Sequence, residues 1–222
     1  RMPKSQTRLI EAVCAVNPHV VVILQGGAPM ALPWADKVQA ILLMYLGGEA
    51  VGSAAVDLLY GDANPCGKLA ETWPRLDNDV PSSSWFPGVP HRVEYRESVY
   101  VGYRYFDSAD IPVRYPFGYG LSYTRFEYSD LTLSSPQITD DQILKITFNV
   151  HNAGERAGKE IVQLYIHADT PHIFRPEQEL KGFTKVALAP GETKPVTFWI
   201  SARDLAFYNT EATDWSTLPG TY

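Results

Sequence analysis

The hydrophobic pattern changes period partway along this chain, and no single fold class satisfies both halves. Up to Trp73 the apolar residues come in unbroken runs separated by helical stretches. After Phe126 they alternate one by one with polar residues. Unbroken β-branched runs belong to strands covered on both faces, whereas strict alternation belongs to strands with one wet face.

In the first half, residues 4–16 read as a helix. Leu9, Ile10, Val13, Cys14 and Val16 fall close to one face, Pro3 stands near the start and Asn17-Pro18 stops it. Val20–Leu24 is a strand expected to be covered on both faces, broken by Gly26-Gly27-Ala28-Pro29. Val38–Leu46 is a second such run, ended by Gly47-Gly48. Ala50–Tyr60 is helical and closed by Gly61, Asn64-Pro65 turns the chain, and Leu69–Trp73 is expected as a short third strand. Strands alternating with helices at this spacing give a parallel sheet with helices on its faces.

From Pro74 to Pro90 the chain carries Pro, Ser, Asp and Gly without periodicity, an irregular excursion of the kind that is functional or wraps another domain. In the second half Leu144, Ile146, Phe148 and Val150 alternate with Lys145, Thr147 and Asn149. Val162, Leu164 and Ile166 share a face, as do Val196, Phe198 and Ile200. Asn152-Ala153-Gly154 and Pro190-Gly191 supply turns, so the region reads as an antiparallel sandwich. Both ends look cut. Pro219-Gly220-Thr221-Tyr222 resembles a turn before a missing last strand, and the opening helix feeds a strand as though earlier βα units preceded it.

Composition excludes several classes. The net charge of −6 lacks the basic stripe that nucleic-acid binding needs. The longest apolar run, Ala40–Leu46, is too short to span a bilayer, so no membrane partner is expected. Two cysteines, Cys14 and Cys66, make no disulfide framework and are expected as buried free thiols. The five histidines show no metal-ligand spacing, and His167 and His172 are too far apart for one strand face. Gly118-Tyr119-Gly120 lacks the strand-to-helix setting of a dinucleotide site. No cofactor or metal is expected.

Residues 95–128 hold eight of the thirteen tyrosines and three phenylalanines, as YRESVYVGYRYFD followed by YPFGYGLSYTRFEY. Around it stand VVVILQGG at Val20–Gly27, GGEAVG at Gly47–Gly52, NP-x-GKL-x-x-TW at Asn64–Trp73, ELKGF at Glu179–Phe183 and LAPGE at Leu188–Glu192. In this order the segments resemble glycoside hydrolase family 3, the β-glucosidase-like family, over nearly the whole chain. Cys66 stands where that family usually has a small residue, and Ser98 where Gly is common.

The resemblance implies an α/β plus all-β chain. Residues 1–85 are the C-terminal half of the family's α/β sandwich domain, a partial parallel sheet. Residues 86–126 are an aromatic wrapping linker, and residues 127–222 an antiparallel fibronectin III-like β-sandwich without its last strand. It also implies retaining hydrolysis of β-D-glucosides by a pair of carboxyl groups about 5–5.5 Å apart. The nucleophile Asp and acid/base Glu are expected outside this chain, on the N-terminal remainder of the same enzyme, which is its expected partner. No residue here is expected to be catalytic. A β-xylosidase or α-arabinofuranosidase of the family, or a non-catalytic carbohydrate-binding or scaffold fragment, are the alternatives.

The substrate-binding candidates are Trp85 and Glu97. Trp85, with Phe86, lies in the irregular excursion, where an aromatic stacks on a sugar ring or packs at a domain interface. Glu97, with Glu94, flanks Tyr95-Arg96 and can meet a sugar hydroxyl or an arginine of another domain. Glu49 suits a helix N-terminus, and Asp140-Asp141 a solvated turn.

Overall fold

The computed structural model describes residues 2–89, 91–169 and 173–222. His172, Arg1 and Pro90, which closes the irregular excursion, lie outside these. The chain forms two compact units: residues 1–63 with 69–119, and residues 64–68 with 120–222.

The first unit opens with α1 (Lys4–Val16), which Asn17 ends through its amide bond to the Val13 carbonyl. Strand β1 (Val21–Leu24) pairs in parallel with β2 (Ala40–Leu43), in the register Val21↔Ala40 to Leu24↔Leu43. Helix α2 (Val51–Tyr60) ends at Gly61, whose φ of 84° makes the left-handed cap that glycine tolerates best. The core joins Leu24, Leu32, Trp34, Ala35 and Trp73, with Ile10 and Val22 packed against it.

Two expectations change here. The first concerns β1. Val22 and Leu24 face the core, but Val21 is 48% and Ile23 42% exposed, so one face of the two-stranded sheet is open. The second concerns Leu69–Trp73. The ladder there is only β3 (Trp73–Pro74), and its partner β4 (Val113–Tyr115) runs antiparallel. Pro74 has no amide to donate, and Leu69 bonds outside any ladder, its N–H meeting the Tyr119 carbonyl and its carbonyl accepting from Gly118. Between β3 and β4 lies α3 (Tyr103–Ser108), a short helix that buries Phe106. In its sequence, YRYFDS, Arg104 is the one strong helix former among aromatic and polar residues of weaker propensity, so little announces it.

The second unit is a β-sandwich. Strands β5 (Phe126–Leu133), β6 (Ile143–Asn152) and β9 (Thr193–Ser201) form one antiparallel sheet in the order β5-β6-β9. Strands β7 (Gly158–Ile166) and β8 (Glu179–Leu188) form the other. The alternation holds in detail: Ile146, Phe148 and Val150 from β6, Val196, Phe198 and Ile200 from β9, Val162 and Leu188 make one buried cluster. The short helix α4 (Ala202–Leu205) adds Leu205, and β10 (Phe207–Asn209) pairs with β11 (Asp214–Ser216). Near the C-terminus Thr221 makes an isolated antiparallel bridge to Asp169.

Within this unit Asn152 is fully buried and uses its whole side chain. Its Oδ1 accepts from Thr124 Oγ1 (2.5 Å) and the Gly154 amide (3.2 Å), and its Nδ2 donates to the carbonyls of Arg156 (2.8 Å) and Leu188 (3.2 Å).

Candidate functional site

Trp85 follows a single 3₁₀ turn, Pro81–Ser84, that starts on proline. The chain then folds back through the Val89↔Arg92 bridge and brings Arg96 over the Trp85 ring at 3.9 Å. Glu94 sits between two guanidinium groups: Arg92 Nη2 is 2.6 Å from its Oε1, and Arg96 bonds its Oε2. Trp85, Phe86, Arg92, Glu94 and Arg96 line an open cleft of about 410 Å³. Trp85 is 43% exposed and Phe86 77%, so both remain partly free aromatic surface. An indole held by a cation and flanked by fixed charged groups can stack on an apolar ring face while polar groups reach its edge.

Glu97 stands one residue further along and outside that cleft. The turn Glu97–Tyr100 is closed by the Tyr100 amide on the Glu97 carbonyl at 2.9 Å, with Ser98 at a φ of 51°. Glu97 Oε2 and Tyr100 Oη are buried and have no hydrogen-bond partner among the described residues. A buried carboxylate oxygen without a donor is costly. The structure thus separates the two candidates: Trp85 sits with Arg96, and Glu97 beside Tyr100.

Two ring pairs form within the rest of the tyrosine-rich stretch. Tyr103 stacks on Phe117 at 4.9 Å and Tyr115 on Tyr119 at 5.2 Å. Tyr95 stays 86% exposed. Glu49 lies just before the N-cap of α2 and is exposed. Asp141 accepts a bond from Thr139 Oγ1 at 2.6 Å, which holds its carboxyl below the usual range in an exposed turn. Cys14 and Cys66 are free, but both are partly exposed rather than buried. Among the described residues no cluster of His, Cys, Asp and Glu could hold a metal ion.

A buried charge cluster in the second unit is not offered as a site by the sequence, although Glu179 and Lys181 belong to its ELKGF segment. Arg175, with a side chain only 8% exposed, bonds Glu179 Oε1 through Nη2 (2.7 Å) and Nε (3.0 Å), and donates to the Leu205 carbonyl through Nη1 (2.7 Å). Lys181 Nζ reaches Glu179 Oε2 at 3.0 Å. Burial pushes the Glu179 carboxyl up, but hydrogen bonds and charges from Lys181 and Arg175 outweigh it and hold the group below the usual glutamate range.

A parallel βα unit joined to an antiparallel sandwich defines a two-unit α/β and all-β class. Comparison with known proteins places the chain within it. Residues 1–123 match the glycosyl hydrolase family 3 C-terminal domain and residues 160–222 a fibronectin type III-like domain. The chain belongs to glycoside hydrolase family 3. It is 49% identical to thermostable β-glucosidase B of Acetivibrio thermocellus over 221 residues, covering 100% of this chain and 29% of that protein. Among solved structures it is similar to the β-glucosidase of Kluyveromyces marxianus in complex with glucose (TM-score 0.92, 40% identity, 98% of this chain and 26% of that one). It is also similar to a β-glucosidase of Streptomyces venezuelae in complex with D-glucose (TM-score 0.88, 40% identity, 96% and 27%). The chain therefore spans less than a third of the length of each of these relatives.

Proposed function

We propose that this chain is the later part of a retaining β-glucosidase that hydrolyses terminal non-reducing β-D-glucosyl residues. The observation that carries this is the match along its whole length, at 49% identity, to a protein named as a β-glucosidase. In this reading the nucleophile Asp and acid/base Glu belong to the remainder of the enzyme, which is the partner of this chain. The two carboxyl groups act about 5–5.5 Å apart, one forming a covalent glycosyl intermediate and the other protonating the departing oxygen. Trp85 and Glu97 are the residues here offered to the substrate side, Trp85 through its open ring and Glu97 through its unpartnered Oε2.

The test is turnover of nitrophenyl glycosides by the full-length enzyme and by the 222-residue chain alone. The enzyme is expected to cleave the β-glucoside and the isolated chain to cleave nothing. Preference for a β-xyloside or α-arabinofuranoside makes it another member of the family, and no turnover by the full-length protein makes it a scaffold. For the site, Trp85→Ala and Glu97→Gln in the full-length enzyme should raise KM about tenfold with little loss of thermal stability. A drop in melting temperature at unchanged KM assigns both residues to packing instead.

A further inference from the structure

The most specific motif of the sequence, Asn64–Trp73, is given no part in the chemistry, and the structure divides it. Leu69–Trp73 fold with the first unit, whereas Asn64–Lys68 fold with the second, more than fifty residues ahead of that unit's first strand. The five residues are held at both ends. Asn64 Oδ1 accepts from Ser122 Oγ (2.9 Å) and the Tyr123 amide (2.9 Å), while its Nδ2 donates to the Ala157 carbonyl (2.9 Å). Four residues on, Lys68 Nζ donates to the Gly120 carbonyl (2.8 Å) and stands 3.2 Å from Glu160 Oε2.

Glu160 is the acid on β7 that points into this seat. Its side chain is 12% exposed and that of Lys68 17%, and Lys68 is its only salt-bridge partner among the described residues. Its other oxygen accepts from Tyr128 Oη at 3.1 Å. Burial and the Glu160 charge push the Tyr128 hydroxyl up, so it remains a donor. Two glycines leave room for the segment. A Cβ on Gly120 would stand 2.2 Å from the Gly67 carbonyl oxygen, and one on Gly158 would stand 3.0 Å from Asn64 Nδ2. Neither neighbour can yield: the first is backbone and the second is fixed by its own hydrogen bonds.

We infer that the fibronectin-like unit contains a peptide-recognition seat, and that residues 64–68 are its tethered ligand. The seat takes a segment presenting a carboxamide and, four residues later, an ammonium group. Lys68 supplies the counter-charge that lets Glu160 be buried, so the ligand completes this unit and is not merely a connection. A lone buried carboxylate would draw water into the sandwich edge beside it, whereas neutralising both partners strands no charge.

Hydrogen exchange read by mass spectrometry on the full-length enzyme tests this. Lys68→Met should raise exchange at least tenfold in residues 64–68, in β5 and in β7, and leave the first unit's α1 within twofold of the parent. Lys68→Arg should stay close to the parent. Adding Glu160→Gln to Lys68→Met should return β5 and β7 most of the way, because the stranded charge is gone. Gly120→Ala, which keeps both charges but blocks the backbone approach, should free residues 64–68 to the same extent. Exchange in β5 and β7 within twofold of the parent in Lys68→Met, or no recovery in the double variant, overturns the proposal. If Lys68→Met yields no folded enzyme, the double variant decides: folded protein supports the seat, and failure of both overturns it.

Discussion

Ser98 shows what one side chain costs in one backbone conformation. It sits at a φ of 51° inside the Glu97–Tyr100 turn, where a Cβ crowds the following carbonyl. Ser98→Gly is therefore expected to stabilise the enzyme by about 0.5–1 kcal/mol, read as a raised urea midpoint at unchanged slope. The serine is visible in the sequence, but its cost needs the dihedral angle.

Glu179 makes a second prediction at this scale. Its folded carboxyl is held below the ordinary value of 4.5, so it binds a proton less readily folded than unfolded. Its contribution to stability is then complete above about pH 4.5 and is lost as pH falls through the lower folded value. Melting temperature should fall with acidification in that window, and Glu179→Gln should flatten the fall. An unchanged slope in the variant would show that other carboxylates set the acid limit.

At the scale of elements, β8 explains why part of the sandwich is hard to read. Its inward positions include Gly182 and Thr184, which interrupt the apolar alternation that marks β6 and β9. The glycine is there for space: a Cβ at Gly182 would lie 2.8 Å from Cδ1 of Phe198, a buried ring of the facing strand β9. Its φ is not in the left-handed region, so the constraint is packing alone. Gly182→Ala should destabilise the enzyme by about 1–3 kcal/mol through overpacking, and a smaller ring, Phe198→Leu, should recover part of that loss in a thermal melt. α1 shows the opposite case. Its periodicity is plain and its boundaries are as expected, yet Leu9 is 64% and Val16 85% exposed, because periodicity fixes a face and not what covers it.

At the scale of the whole molecule, the open apolar surface of the first unit is the dominant physical fact. Leu9, Val16, Val21, Ile23, Leu46 and Tyr60 are all more than 40% exposed. Surface of this kind drives association. The 222-residue chain by itself is expected to self-associate in light scattering at micromolar concentration. The pair Leu9→Lys with Val21→Lys should reduce association by an order of magnitude without loss of helical circular dichroism. A monodisperse monomer of the unsubstituted chain would contradict this.

The sequence by itself determined the two fold classes, because period 2 and unbroken apolar runs are local consequences of strand geometry and burial. It determined the helix ends at Asn17 and Gly61 through residue types that break or cap a helix. It also determined the family, through short segments whose order chance does not reproduce. Only the tertiary structure decided where Asn64–Lys68 belong, that Glu160 has Lys68 for a counter-ion, that Arg175 and Lys181 share Glu179, and that Glu97 Oε2 stands without a donor. Lys68 and Glu160 are far apart in the chain, Arg175 and Lys181 are near neighbours of Glu179 that share it only because the folded backbone turns all three inward, and a buried charge or an orphaned oxygen exists only once the chain has folded around it.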